Sequence, residues 1–260
     1  MAAEVKKNKE KSHHFVLVHG GGTGAWCWYK LNHLLVKEGH TVSSIDMASA
    51  GIHPADPDTI TTLEDYNLPL TSFFEALPSE RKVILVGHSS GGFNVSLTME
   101  KFPQKIATAV FVTAFMPLSG TTLSDSMNEV LSKIGRLGDT IFYHAKGEEN
   151  PATSFKFGSQ FSQEFALQKS PPWDVALISS LVKKAPIWKE ALLYSKENYG
   201  SVPRAYVVAK EDKLMVEEFQ RKMIAENPPH MIREIEGSDH CPFFCKPECL
   251  AQTLIQIANA

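Results

Sequence analysis

Ser89 stands at the centre of Gly87-His88-Ser89-Ser90-Gly91, with a glycine two residues away on each side. A serine hydroxyl is a weak nucleophile near neutrality. It attacks a carbonyl only when a base within hydrogen-bond reach takes its proton and a third group orients that base. A Gly-x-Ser-x-Gly pattern alone arises often by chance. It carries weight where an apolar strand runs into it and a helix leaves it, because that turn exposes the serine at the end of the strand. Residues 82–87 read as such a strand and 93–102 as such a helix. The two glycines remove side chains where strand and helix crowd together. The helix N-terminus aims its free N–H groups at developing negative charge.

In proteins that carry this turn, the acid and then the histidine follow the serine along the chain. His144, His230 and His240 come after Ser89. His144 lies in an irregular region, and His230 follows Pro228-Pro229 on a surface-type turn. His240, in Gly237-Ser238-Asp239-His240, comes just past a strand at 231–235, at the edge of the sheet where ligands bind in open α/β folds. His240 is therefore the expected base. The preceding strand, 204–209, ends in Lys210-Glu211-Asp212-Lys213. Glu211 and Asp212 both fit the acid by spacing, with Asp212 preferred. Asp239 is a poor third choice, since it must reach the ring of its own neighbour. Two backbone N–H groups are expected to hold the oxyanion, from Ser90 and from Gly21 in the His19-Gly20-Gly21-Gly22 loop. That loop lacks the spacing of a phosphate cradle. His19 and His88 precede the base and flank tight turns, so both read as structural.

The elements that must position these groups alternate. Strands are expected at 14–19, 41–47, 82–87, 106–113, 204–209 and 231–235, with helices at 25–38, 62–77, 93–102, 217–226 and 247–258. This rhythm is that of βαβ units and a mostly parallel sheet flanked by helices. From 117 to 199 the rhythm breaks into short helical segments and loops rich in aromatics, which reads as a small helical cap insertion. The core is then 14–116 with 200–260, behind an N-terminal tail at 1–13. That tail is polar and basic, without the apolar stretch of a secretory signal, so the cytoplasm is the expected compartment. The net charge of −3 gives no pull towards nucleic acid or an anionic membrane. Cys241, Cys245 and Cys249 recur every fourth residue, but Pro242 and Pro247 interrupt them and no CxxC pair occurs. Free thiols are expected, with no metal and no cofactor.

Several stretches resemble the plant methylesterase/hydroxynitrile lyase family of the α/β-hydrolase superfamily. They include the run from His14 to Gly20, Gly24-Ala25-Trp26-Cys27-Trp28-Tyr29-Lys30, and the run from Val86 to Gly92. Ala109-Val110-Phe111 with Phe115-Met116-Pro117, Tyr199-Gly200-Ser201-Val202, Glu211-Asp212-Lys213 and Gly237-Ser238-Asp239-His240 continue it in family order. The resemblance implies an α/β-hydrolase fold with a small cap, no cofactor, often a homodimer, and Ser89, Asp212 and His240 as a triad with Gly21 and Ser90 as the oxyanion hole. It also implies hydrolysis of methyl esters of small plant acids, of salicylate, jasmonate, indole-3-acetate or alkaloid type. Gly20, Phe115, Trp188 and Cys241 are expected in the pocket. The family's cyanohydrin lyases carry Thr at the position of Gly20 and Lys at that of Cys241, so this chain sides with the esterases. Relatives acting on β-keto acids use a modified triad, whereas Ser89 and His240 are intact here. Decarboxylation after hydrolysis, and a hormone receptor of the same fold, are the competing expectations. The stretches from Lys169 to Asp174 and from Lys183 to Trp188 depart from the family in bulk and charge.

Overall fold

The computed structural model describes residues 12–260, so residues 1–11 of the expected tail lie outside the described residues. Six parallel strands form the central sheet. In chain order they are β1 (His14–Val18), β2 (Thr41–Ile45), β3 (Val83–Ser89), β4 (Ile106–Ala114), β8 (Arg204–Ala209) and β9 (Met231–Ile235). Their spatial order is β2-β1-β3-β4-β8-β9. The chain runs outwards from β1 to β2, then crosses back to β3 on the other side of β1. The direction of winding reverses there, and the crevice beyond the strand ends at such a switch is where open α/β sheets bind ligands.

The inner strands β1, β3, β4 and β8 read as largely apolar runs because both faces of the sheet are covered, whereas the edge strands β2 and β9 carry polar residues such as Ser43, Ser44, Arg233 and Glu234. Successive side chains point to opposite faces. Val16, Leu85, Phe111 and Tyr206 enter one core, with α2 (Leu63–Ala76), α3 (Gly91–Lys101) and α7 (Glu217–Glu226). Phe15, Leu17, Ile84, Val86, Val110 and Val207 enter the other, with α1 (Tyr29–Lys37) and α9 (Pro247–Ala258). The sequence places all these elements to within a few residues.

Residues 117–199 hold α4 (Leu123–Ile134), α5 (Ser159–Phe161, continued by a π-turn over Ser162–Ala166) and α6 (Pro172–Leu181). They also hold a small antiparallel sheet, β5 (Ile141–Tyr143), β6 (Ser154–Lys156) and β7 (Ala185–Pro186), in the order β5-β6-β7. The sequence reading expects only helices and loops here. Strands of two or three residues are too short to show a period of two. The last short helix, α8 (Pro242–Cys245), follows His240. Among the described residues no helix is long and apolar enough to cross a membrane.

Two carboxylates, Asp174 buried and Asp58 half-buried, fasten the 117–199 segment to the rest. Asp174, fully buried, accepts from Lys30 Nζ at 2.5 Å and Tyr29 Oη at 2.8 Å. Asp58 accepts from Lys184 Nζ at 2.7 Å and from the hydroxyls of Thr153 and Ser154. The unusual charge of the two departing stretches thus has a structural use, since Asp174 and Lys184 both belong to them.

Candidate active site

β3 ends at Ser89, and α3 starts two residues later. Ser89 has φ +54°, a left-handed conformation rare for a residue with a Cβ. Strain of this kind persists only where the surroundings hold it. Here Gly87, Gly91 and Gly92 make room for it. A Cβ on Gly91 would lie 2.5 Å from the His19 carbonyl oxygen, and one on Gly92 only 1.8 Å from that of Phe115. Neither oxygen can swing aside, because each belongs to backbone at the end of a central strand. Gly92→Ala is therefore expected to lower stability by about 3 kcal/mol or more, as severe overpacking does. Urea unfolding of the purified variant checks this, and a loss below about 1 kcal/mol would show that the crowding is relieved cheaply.

The loop after β9 carries His240, and the loop after β8 carries Asp212. His240 Nδ1 lies 2.7 Å from Asp212 Oδ2. A carboxylate only accepts, so Nδ1 bears the proton and Nε2 is left as the basic nitrogen. Three further donors hold Asp212: Thr113 Oγ1 donates to Oδ2 at 2.5 Å, and the N–H groups of Leu214 and Met215 donate to Oδ1 at 2.8 Å each. Thr113 itself has φ +36°. Nothing in the sequence singles it out, since it is one of two threonines, with Thr108, in a largely apolar strand.

The two alternative acids sit elsewhere. Glu211 is exposed and pairs with Lys169 at 2.6 Å. Asp239 is fully buried and turned away from the His240 ring. Its Oδ1 accepts from Cys241 N, and its Oδ2 from Lys169 N and Ser170 Oγ, each at 2.9 Å. Asp239 therefore ties the His240 loop to the 117–199 segment. His144 and His230 lie on the exposed surface, away from Ser89.

His19 and His88 are buried supports. His19 Nδ1 donates to the Gly20 carbonyl at 2.8 Å, and Met47 N donates to His19 Nε2 at 3.1 Å. One nitrogen gives and the other receives, so the ring must be neutral, and it fixes the turn after β1. His88 Nε2 donates to the His240 carbonyl at 2.7 Å, with the two rings 4.6 Å apart. Burial pushes the His88 pKa well below the ordinary imidazole value, and the nearby His240 ring adds to this. Burial also lowers His19, against the opposing pull of the Gly20 carbonyl and Asp46.

Both rings stay neutral in the folded protein where the unfolded chain would protonate them. Stability is therefore expected to fall as pH drops below ~6.5, by up to ~1.4 kcal/mol per pH unit for each ring. Urea unfolding between about pH 7.5 and 5.5 reads this slope, and a flat profile would contradict it.

Two lobes open at Ser89. The first encloses about 530 Å³ counted to its mouth. It is lined by Tyr66, Phe115, Trp188 and Met215, among other apolar side chains, with Gly21 and Ser90 at its base. A Cβ on Gly21 would lie 3.4 Å from Ser90 Oγ, so these two residues are neighbours. The second lobe, about 490 Å³, is lined by Gly20, His88, His240 and Cys241 and by apolar residues such as Ile178 and Val182. All four pocket residues named from sequence thus line one lobe or the other. Burial pushes the Cys241 thiol well above its ordinary pKa, and the Asp239 charge reinforces this, so the thiol is neutral. Among the described residues no group of three or more His, Cys, Asp or Glu side chains could hold a metal ion.

Comparison with known proteins places this geometry in a family. The sequence profile of the Alpha/beta hydrolase family matches residues 15–249. Methyl jasmonate esterase 1 of Vitis vinifera is 40% identical over 258 residues, covering 97% of this chain and 99% of that protein. A putative chloroplastic methylesterase 13 of Arabidopsis thaliana is 41% identical over 94% of this chain, which spans only 56% of that longer protein. Among solved structures, polyneuridine aldehyde esterase superposes with a TM-score of 0.90 at 36% identity, over 95% of this chain and 100% of that one. Tomato methylketone synthase I, complexed with 2-tridecanone, gives a TM-score of 0.90 at 37% identity over 96% and 98% of the two chains. The chain belongs to the α/β-hydrolase family and, within it, to the plant methylesterases.

Proposed function

We propose that this protein is a serine carboxylesterase that hydrolyses methyl esters of small, largely apolar acids of the salicylate, jasmonate, indole-3-acetate or alkaloid type. The observation that carries this is the Asp212–His240 pair, which opens onto the same cavity as the strained Ser89. In the proposed reaction His240 Nε2 takes the Ser89 proton as Oγ attacks the ester carbonyl. The carbonyl π electrons move to oxygen, where the N–H groups of Gly21 and Ser90 receive the charge. Asp212 holds the ring in its tautomer and stabilises the imidazolium. The tetrahedral species collapses, His240 returns the proton to the departing methoxide, and methanol leaves. Water, activated by the same ring, then releases the acid.

His240 must deliver its proton to the leaving oxygen. The lobe it lines is therefore assigned to the alcohol, and the lobe lined by Phe115 and Trp188 to the acyl group. Cleavage of a cyanohydrin is disfavoured by two residues. Gly20 has no hydroxyl to offer, and a Cβ there would stand 2.9 Å from Ser89 Cβ. Cys241 supplies no cation for departing cyanide. The compartment we propose is the cytosol, a reading supported by the four free thiols.

The test is steady methanol release from a panel of methyl esters of salicylate, jasmonate, indole-3-acetate and alkaloid acids. Sustained turnover of at least one supports the proposal. A single burst without turnover would favour a ligand receptor, and cyanide, aldehyde or carbon dioxide from candidate substrates would favour a lyase or decarboxylase.

A further inference from the structure

The walls of the acyl lobe include two polar heads that the protein leaves unanswered. Trp188 is 2% exposed, and its indole N–H has no hydrogen-bond partner among the described residues. Tyr66 is 3% exposed, and among the described residues none pairs with its hydroxyl. Both side chains line the lobe, with their rings side by side, 5.2 Å between centroids and the planes tilted by 31°. Tyr66 sits in the first turn of α2, and Trp188 lies just past β7. Leu63 N, in the same turn of α2, donates to Glu190 Oε1 at 2.5 Å, which pins the chain beyond Trp188 against that helix. Burial raises the Tyr66 pKa and the Asp46 charge adds to this, so the hydroxyl keeps its proton and can donate. Buried tryptophan and tyrosine heads are ordinarily paired, because a donor taken from water without an acceptor costs free energy. The reaction proposed above uses neither head, since the ester carbonyl is served by Gly21 and Ser90.

We propose that Tyr66 and Trp188 are specificity-determining donors, and that the acyl group carries a second, uncharged oxygen, a ketone carbonyl, which accepts from both. This rests on the esterase reading above and narrows it. A carbonyl oxygen has two lone pairs, so it can receive the Tyr66 O–H and the Trp188 N–H together. An indole nitrogen only donates, so a ligand N–H finds no acceptor at Trp188. No charged side chain lines the lobe, so a second carboxylate would enter it without a counter-ion.

The experiment measures kcat/KM for methyl cyclohexylacetate and for two analogues with a ring ketone, at the carbon opposite the side chain or at the carbon next to that one. Wild type, Tyr66→Phe and Trp188→Phe are compared. Keto and parent esters share their size and their reacting end, so their ratio reads the second oxygen alone. It also cancels the loss of ring bulk that Trp188→Phe imposes on both. In a lobe without a partner the ketone would give up its hydrogen bonds to water for nothing, and the ratio would fall below one. In wild type at least one keto ester is expected to exceed its parent. Each variant is expected to lower that ratio at least about threefold, the scale of one neutral hydrogen bond. Tyr66→Phe keeps every ring atom, so a Trp188→Phe protein that fails to fold still leaves the proposal exposed to the first variant. Ratios below one for both keto esters in wild type overturn the proposal, with the esterase reading intact. A ratio that either folded variant retains overturns the paired assignment. Turnover of the methyl ester panel above without turnover of either keto ester overturns it as well. If no ester of either set is hydrolysed, the esterase reading fails and takes this inference with it.

Discussion

Ser89→Ala is expected to lower kcat for the cognate methyl ester about 10⁶-fold, the scale seen when a serine nucleophile is removed from an otherwise intact site. The loss has one cause. Without Oγ no acyl-enzyme can form, and the hydrolysis that remains depends on binding and on the oxyanion N–H groups alone. The substitution also removes a hydroxyl from a residue held at φ +54° without altering its Cβ, so the backbone strain stays. Stability should therefore change little, and KM should stay within a few-fold. Stopped assays with high enzyme concentrations can read the residual rate. A loss of less than about tenfold would mean that another group does the chemistry.

Asp212→Asn is expected to lower kcat about 10⁴-fold while leaving the site nearly isosteric. An amide NH₂ facing His240 Nδ1 would donate to it. The ring proton would then sit on Nε2, the nitrogen that must be free to take the Ser89 proton. The structure adds a second consequence. Asp212 accepts from Thr113, Leu214, Met215 and His240, four donors on two oxygens. An amide presents one oxygen, so at least one buried donor loses its partner, at a cost of ~1–3 kcal/mol. Thermal or urea unfolding run beside the kinetics separates the two effects. An Asp212→Asn protein that is destabilised yet retains more than about a tenth of wild-type kcat would show that Asp212 is a structural carboxylate only.

Much of this site is legible in the sequence because it hangs on strand ends. β1, β3 and β8 are short apolar runs, β9 is a mixed edge strand, and each carries one candidate group at or just past its C-terminal end: Gly21, Ser89, Asp212 and His240. What spacing cannot settle is direction. Glu211 and Asp212 are neighbours, and only the fold turns Glu211 out to Lys169 and Asp212 in to His240. Thr113 is illegible for the same reason, since its hydroxyl matters only because β4 lies beside β8 in the sheet.

The 117–199 segment is the hardest to read. Its three strands are too short for periodicity, and Pro186 sits in one of them. Its attachments are long-range pairs of ordinary residue types. Asp174 finds Lys30 across 144 positions and Asp239 finds Ser170 across 69, and no local pattern announces either.

The central claim is that Ser89 is the attacking group, with His240 as its base. Incubation with a fluorophosphonate, followed by proteolysis and mass mapping, tests it most directly. The phosphonyl group is expected on Ser89 alone, with loss of activity in proportion to labelling, and no labelling is expected in a His240→Ala variant that remains folded. Labelling at another residue, or full esterase activity in protein whose Ser89 is completely modified, would contradict the account.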